Sequence, residues 1–352
     1  MEQTTKQSQV GFFFYRLGTV LKSLKALYTL PQDKVDAFIK SYEIYDHDWD
    51  NEEQLIQAMG KDYYKEVKRK LIDCYSVWNH LCAIGQVEKM YIPPAMDLGV
   101  SIIKNQVLFE EKMAKDLGLK KGMKALDIGC GRGRVANHMA TFSGAHVTGM
   151  NIDPNQLESA RRFAAGTGMN DRLNFVEADL NEPLPFADSS LDSVYHIQVF
   201  SLSKNPLKLF KEIHRVLKPG GRFAGLDWFI LDKYDPNNPE HAALMKRVKP
   251  LIGAIGTRRI PDFINVMKKA GFEILINENA SQDGLQAPLI QNADKFYTTA
   301  TRLIHALVKY RLLPKHFKAL FDRLTKDGQA FVEADNKRLV TTSHYIVAQK
   351  KG

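Results

Sequence analysis

The 352-residue chain predicts an α/β fold: a doubly wound, mostly parallel seven-stranded sheet, preceded by helices and completed, after a helical insertion, by an antiparallel strand at or near the sheet's edge. Three observations predict it. From Lys124 onward, short apolar runs alternate with helical patterns, which implies strand–helix units covering both faces of a parallel sheet. A glycine-rich turn, Gly129-Cys130-Gly131-Arg132-Gly133, separates the first such run from the helix that follows. The last apolar run, His344 to Gln349, arrives after long helices and so suggests an antiparallel strand.

In chain order, the amphipathic pattern from about Gly11 to Leu30 puts Phe13, Leu17, Val20, Leu21, Leu24, Leu27 and Tyr28 on one helical face, with Arg16, Lys22 and Lys25 elsewhere and Pro31 closing it. Such a basic helix suits either a membrane interface or the protein's own surface. Two more helices are expected, from roughly Asn51 through Cys74 and from Ile102 to Asp116, the latter carrying Ile103, Val107, Phe109 and Met113. Between them Trp78 to Met96, with Pro93-Pro94, lacks periodicity and is a candidate lid. Strands are read at Ala125–Ile128, His146–Met150, Asn174–Val176, Leu191–Ile197, Arg222–Phe229, Phe272–Asn277 and His344–Gln349. Helices are read through Phe142, from Asn155 to Gly166, from Pro206 to Leu217, near His241 to Val248, and as a basic pair over Asp294–Tyr310 and Lys315–Lys326. This divides the chain into an N-terminal amphipathic segment (1–50), a helical lid region (51–120), a ligand-binding core (121–230) and a substrate-side region completing the sheet (231–352).

Composition is that of a soluble globular protein, 44% hydrophobic and 25% charged, with disorder expected only in the first ten residues. The net charge of +9 points to a solvated basic surface or an acidic partner. Basic residues are spread out, and there is neither an Asn-Pro-Pro-Tyr-like base pocket nor a separate basic recognition motif, so no nucleic-acid partner is expected. Cys74, Cys82 and Cys130 fit neither a disulfide framework nor zinc knuckles; the compartment is read as reducing, and no metal is expected. No run long and apolar enough to span a bilayer, and no signal-peptide pattern, is seen. A cytoplasmic location is therefore expected, with peripheral contact to the endoplasmic reticulum or another lipid surface through residues 11–30.

The glycine spacing G-x-G-x-G differs from the dinucleotide fingerprint G-x-G-x-x-G. Asp127, at the end of the first strand, can order the loop and bond an amino group. The second strand ends at Asn151, where a ribose would present its hydroxyls, and the third at Ala178-Asp179-Leu180, where an Asp can accept from an adenine amine. With Leu217-Lys218-Pro219-Gly220-Gly221, these residues resemble the class I methyltransferases and, more narrowly, the sterol 24-C-methyltransferase family. The resemblance runs from about Gly122 to Glu240, through LDIGCGRGRVA, GAHVTGMNIDPNQLESA, FVEADLNEPLPFADSSLDSVY, EIHRVLKPGGRFAGLDW and DKYDPNNPE, and continues more weakly to the end. It implies S-adenosylmethionine as cofactor. Asp127, Gly129, Gly131 and Gly133, in a loop that includes Cys130, would hold its methionine end; Asn151, Ile152 and Gln156 would serve the ribose and adenine side, and Asp179 and Leu180 would bracket the adenine. It also implies a hydrophobic acceptor, a sterol, triterpenoid or related lipid; a polar acceptor methylated at nitrogen, oxygen or sulfur, or cofactor binding without transfer, are the alternatives.

Two segments depart from the family. Its aromatic Tyr-Glu-Tyr-Gly-Trp-Gly and Phe-His-Phe are replaced by Cys82-Ala83-Ile84-Gly85-Gln86-Val87 and Met90-Tyr91-Ile92, and its Ile-Glu-Ala-Thr-Cys-His by Ile197-Gln198-Val199-Phe200-Ser201-Leu202. Alkene methylation passes through a carbocation that aromatic faces stabilise and a base must deprotonate. A ring carbon beside an oxygen function, attacking as an enol, needs no such box. The catalytic candidates are Tyr91 as a cover for the sulfonium or a packing residue, His196 as a base or a structural histidine, and Gln198 as a partner of a substrate hydroxyl or a solvated strand end. Trp228 is read as packing.

Overall fold

The computed structural model describes residues 17–84 and 88–351, the side chains of Asn292, Ala293 and Phe296 aside. Helix α1 (17–28) is followed by α2 (Gln32–Ser41), α3 (Glu52–Met59), α4 (Tyr63–Ile84) and α5 (Ile102–Asp116). Then come β1 (Lys124–Ile128), α6 (Arg134–Ser143), β2 (His146–Asn151), α7 (Pro154–Gly166), β3 (Leu173–Glu177), β4 (Leu191–Ile197), α8 (Pro206–Val216) and β5 (Leu217–Ile230). The chain continues through α9 (Pro239–Ile252), α10 (Ile260–Lys269), β6 (Phe272–Asn279), α11 (Ala287–Lys309), α12 (His316–Thr325) and α13 (Gly328–Asn336) to β7 (Val340–Lys350). The seven strands form one sheet in the order β3-β2-β1-β4-β5-β7-β6. β1 to β5 pair in parallel, and β7, one strand in from the edge, runs antiparallel to both β5 and β6.

Parallel pairing needs a crossover for each strand, and local chemistry supplies them. Pro154, Pro206 and Pro239 occupy first helical turns, where a missing N–H costs nothing, while Asp153, Asn205 and Asn238 cap those helices by accepting from the backbone. On α8, Leu209, Phe210, Ile213 and Val216 are buried at helical spacing. There Phe210 meets Phe223 and Phe263 edge-on, with ring centroids 5.4 and 5.2 Å away. The opposite face is closed by small side chains, Ala136 and Ala140 of α6 and Ala160 and Ala164 of α7, which let the helices approach the sheet closely.

The chain divides into two compact units. One draws on Met1–His47, Glu53–Met90 and Asn292–Lys326, the other on Asp48–Glu52, Tyr91–Gln291 and Asp327–Gly352. The first is helical, with a core of Leu27, Val35, Phe38, Val77, Leu81, Phe317, Leu320 and Phe321. The second carries the sheet.

Several elements differ from their sequence expectation. The start of the predicted basic helix, with Gly11, Phe13 and Arg16, lies outside the described residues, as do the first ten residues and Gly85-Gln86-Val87. From Leu17 on, α1 is helical, but its predicted apolar face splits: Leu27 is buried, while Leu17, Leu21, Leu24 and Tyr28 are exposed. The helix expected from Asn51 to Cys74 is two, broken at Gly60 with φ +86°. The second runs on to Ile84, because Val77 and Leu81 extend the buried stripe of Val67 and Leu71, so the first part of the expected lid is helix. The turn Leu217–Gly221 survives inside β5 as an irregularity: Lys218 to Gly221 stand opposite the single Asp192. Helices α2, α10 and α13 were not anticipated.

Candidate active site

In a parallel sheet the loops that follow the strands gather on one edge, and here four of them meet around the glycine-rich turn. The parallel pairing of β1 with β2 places the Met150 carbonyl where it accepts from both Gly129 N–H (2.8 Å) and Cys130 N–H (3.0 Å), folding the loop back over β2. Gly129, Gly131 and Gly133 all have left-handed φ, +75°, +53° and +72°. A Cβ on Gly133 would stand 2.8 Å from Phe175 and 2.9 Å from Ala160, whereas at Gly131 it would meet only Gln156 Oε1, at 3.5 Å. The loop is closed toward the core and open at Gly131, where a ligand can approach the main chain.

At the end of β2, Asn151 accepts from Ile152 N–H (2.9 Å) and donates through Nδ2 to Gln156 Oε1 (2.7 Å). Beyond β3, Asp179 accepts from the backbone N–H of Asn181 (2.9 Å), whose side chain in turn bonds Leu202 C=O and Lys204 N–H. Leu180 is buried beside them. Asp127, Gly129, Cys130, Gly131, Gly133, Asn151, Ile152, Gln156, Asp179 and Leu180 thus occupy the ends of β1, β2 and β3 and the turns that follow.

Asp127 is buried, and its Oδ2 has no hydrogen-bond partner; the Tyr195 hydroxyl lies beside it without a bond of regular geometry. Burial, and then the charge of Glu110, push its carboxyl well above the usual carboxylate range. Glu110 of α5 is fully buried, accepting from Tyr91 Oη (2.7 Å) and pairing with His138 Nδ1 at 2.5 Å. Of these two carboxyl groups, Asp127 with its unpartnered oxygen is the one left able to receive a donor from a ligand.

The three catalytic candidates are held by protein contacts. Tyr91 is buried with its hydroxyl on Glu110, which together raise its phenol well above its ordinary value. His196 is fully buried and stacked on Phe200, with centroids 3.7 Å apart and planes 7° from parallel. Burial and then the charge of Arg258 push its imidazole well below its ordinary value, so it stays neutral. Its neighbour Asp227, pushed up to about 6 by burial, accepts from Phe200 N–H and Trp228 N–H. Gln198, with φ +53°, bonds the backbone of Ile92 and Thr342 rather than facing solvent. Trp228 packs as expected, though its indole N–H has no hydrogen-bond partner.

Glu110 was missed by sequence reasoning, together with Asn105 and Gln106. The expected apolar face of α5 included Ile103 and Val107, yet Ile103 is exposed and the buried face is Asn105, Gln106, Phe109, Glu110, Met113 and Ala114. Polar residues at helical spacing among apolar ones were the available signal, and the bonds they make offset their burial.

Fold and loop geometry together define a class I methyltransferase. Residues 126–225 match the methyltransferase domain family. A sterol 24-C-methyltransferase of Gibberella zeae is 32% identical over 262 residues, 68% of this chain and 69% of that protein. Cycloartenol-C-24-methyltransferase 1 of Oryza sativa subsp. japonica is 28% identical over 333 residues, 91% of this chain and 94% of that one. The chain belongs to the sterol 24-C-methyltransferase family, and its methyl donor is S-adenosylmethionine. Among solved structures, geranyl diphosphate C-methyltransferase of Streptomyces coelicolor shares the fold with a TM-score of 0.54 at 15% identity, covering 71% of this chain and 82% of that one.

Substituting Gly133 by Val combines left-handed strain with a clash against Phe175 and Ala160. Strain of roughly 1–3 kcal/mol is expected to weaken S-adenosylhomocysteine binding about 5- to 150-fold by calorimetry. Gly166→Ala, at a position with ordinary φ and open space, is expected to bind like the parent.

Proposed function

We propose that the chain methylates carbon in a hydrophobic acceptor, a sterol, triterpenoid or related lipid, with the acceptor carbon activated by a neighbouring oxygen. The observation that carries this is the pairing of an intact donor loop with an amide at Gln198, where the family has an acid. Bound S-adenosylmethionine supplies a methyl group on a sulfonium leaving group, so the protein's part is largely positioning.

The residues fit that donor. Asp127, with its orphaned buried oxygen, receives the ammonium of the methionine end, and the open side of Gly131 lets the ligand lie against the main chain. Asn151 and Gln156 serve the ribose, with Ile152 beside them; Asp179 and Leu180 serve the adenine. Tyr91 covers the donor site and donates to Glu110, the carboxyl whose charge acts on Asp127. His196, neutral and stacked, positions the loop after β4 through Phe200. An acceptor reacting as an enol becomes a ketone as the carbon–carbon bond forms, the thioether leaves and the enol's hydroxyl proton passes to water, so it needs neither the missing carboxylate nor the missing aromatic faces.

We further assign the exposed stripe of α1 to an anionic lipid surface, as on the endoplasmic reticulum. Leu17, Leu21, Leu24 and Tyr28 recur at helical spacing, 36 to 57% exposed, with Lys22 and Lys25 beside them. No described helix is long and apolar enough to cross a membrane.

Three measurements test these assignments. Because the Asp127 carboxyl is raised, it keeps its proton to higher pH than an ordinary carboxylate and gains its charge as pH rises. Binding of S-adenosylhomocysteine should therefore tighten with rising pH, and Asp127→Asn should flatten that dependence and weaken binding about tenfold or more. Incubation with methyl-labelled donor and a neutral-lipid extract should place label in the organic phase; label confined to water-soluble products would overturn the lipid acceptor. The chain should sediment with phosphatidylserine vesicles, and a Lys22→Ala, Lys25→Ala double variant should lose roughly 30-fold in affinity, at about 1 kcal/mol per charge.

A further inference from the structure

Tyr91–Asp97 lies beside the ends of β4 and β7 and belongs to no helix or strand. Pro93 and Pro94 have no N–H to offer a ladder, so the segment cannot be held as a strand would be. Instead, side chains from distant parts of the fold bond its peptide groups one after another. The Tyr91 carbonyl accepts from Gln106 Nε2 (3.0 Å), the Ile92 carbonyl from Gln198 Nε2 (2.9 Å) and the Pro93 carbonyl from Gln286 Nε2 (2.8 Å). In the other direction, Ile92 N–H donates to Gln198 Oε1 (3.2 Å), Ala95 N–H to Ser281 Oγ (3.0 Å), and Met96 and Asp97 N–H to Asn105 Oδ1 (2.8 and 2.9 Å). Asn105, Gln106, Ser281 and Gln286 are all buried.

Gln198 stands at the centre of this arrangement. Its Nε2 also donates to the Thr342 carbonyl of β7 (3.0 Å), while Gln286 Oε1 accepts from the N–H and hydroxyl of the same Thr342. Two carbonyl oxygens therefore face the Gln198 amide nitrogen. A carboxylate there could still accept from Ile92 N–H, but would meet those two oxygens with nothing to donate. The exchange of acid for amide is what this fastening requires.

We propose that Tyr91–Asp97 is a fixed wall beside the donor site, one that stays fastened through donor binding and turnover, and that Gln198 is the positioning residue that holds it. The wall takes its place beside the donor from the Tyr91 contact with Glu110, whose charge reaches Asp127. Its relation to methyl transfer rests on the function proposed above, but the fastening does not. The acceptor enters by a route that leaves this segment closed.

Hydrogen–deuterium exchange of the full chain decides between wall and lid. The amides of Ile92, Ala95, Met96 and Asp97 should exchange slowly, with S-adenosylhomocysteine changing their rates less than about threefold. Gln198→Met keeps the length but removes the bonds, and should speed exchange at Ile92 by roughly tenfold; Gln198→Glu keeps an acceptor for Ile92 N–H but repels both carbonyls, and should also speed exchange there, by less. Fast exchange without S-adenosylhomocysteine and slow exchange with it would make the segment a lid and overturn the proposal. So would parental rates in Gln198→Glu. With labelled donor and a neutral-lipid extract, Gln198→Met should lower kcat about tenfold while the donor KM stays within about threefold, and Gln286→Met, acting on Pro93, should give the same split; an unchanged kcat in both would remove the positioning role. An extract that gives no product with the parent protein overturns the lipid acceptor, and the exchange rates still decide the wall.

Discussion

The site depends on one carbonyl group. Met150 C=O, at the end of β2, accepts from two successive amides of the loop that follows β1, and that pair of bonds turns the chain back where three left-handed glycines can follow. The bonds exist because β1 and β2 run in parallel register, with Ile128 opposite Met150. Helix α6 then starts close against Ala160 and Phe175, and α7 against the second strand end. The loop is local in sequence, but its shape is imposed by the neighbouring strand.

Around the ends of these strands the protein buries several ionisable groups. Asp127, Glu110 and Asp227 lie inside, the first and last pushed upward by burial, while His196 and His344 are held neutral, His344 with its imidazole lowered to about 4. These groups act in opposite senses on stability. Between about pH 4 and 6 the folded state binds an extra proton at Asp227, so that group's contribution falls as pH rises. His344 does the reverse: its contribution grows as pH rises from about 4 toward the ordinary histidine range, because the unfolded chain holds the proton that the folded one excludes. The two partly cancel, and acid sensitivity is less than His344 alone would give.

The sheet and the donor loop were legible in the sequence because their signals are local. Apolar runs of strand length, proline at helix starts and glycines at odd spacing each report on a few neighbouring residues. Tyr91–Asp97 was legible only as an absence of periodicity, which suggested a movable cover, since its bonds come from Asn105, Gln106, Gln198, Ser281 and Gln286, up to 193 positions away in the case of Gln286 and Pro93. The same reason hid the buried face of α5: a helix carrying Asn105, Gln106 and Glu110 inward looks wrongly patterned until their partners are in place. Gln198 reads from sequence as a partner of a substrate hydroxyl or a solvated strand end, because the two carbonyls it faces come from distant segments.

The placement of β7 has a consequence for how the molecule assembles. β6 touches the sheet only through β7, which is synthesised after the whole of α11, α12 and α13. Until Val340–Lys350 emerges, the flank of β5 is a bare edge with unpaired amides and carbonyls, and β6 has nothing to pair with. Strands β1 to β5 can form the donor loop early, on contacts made within the preceding chain. A nascent chain thus passes through a state that already holds a formed donor loop yet carries an open, adhesive sheet margin, and β7 seals that margin when it inserts.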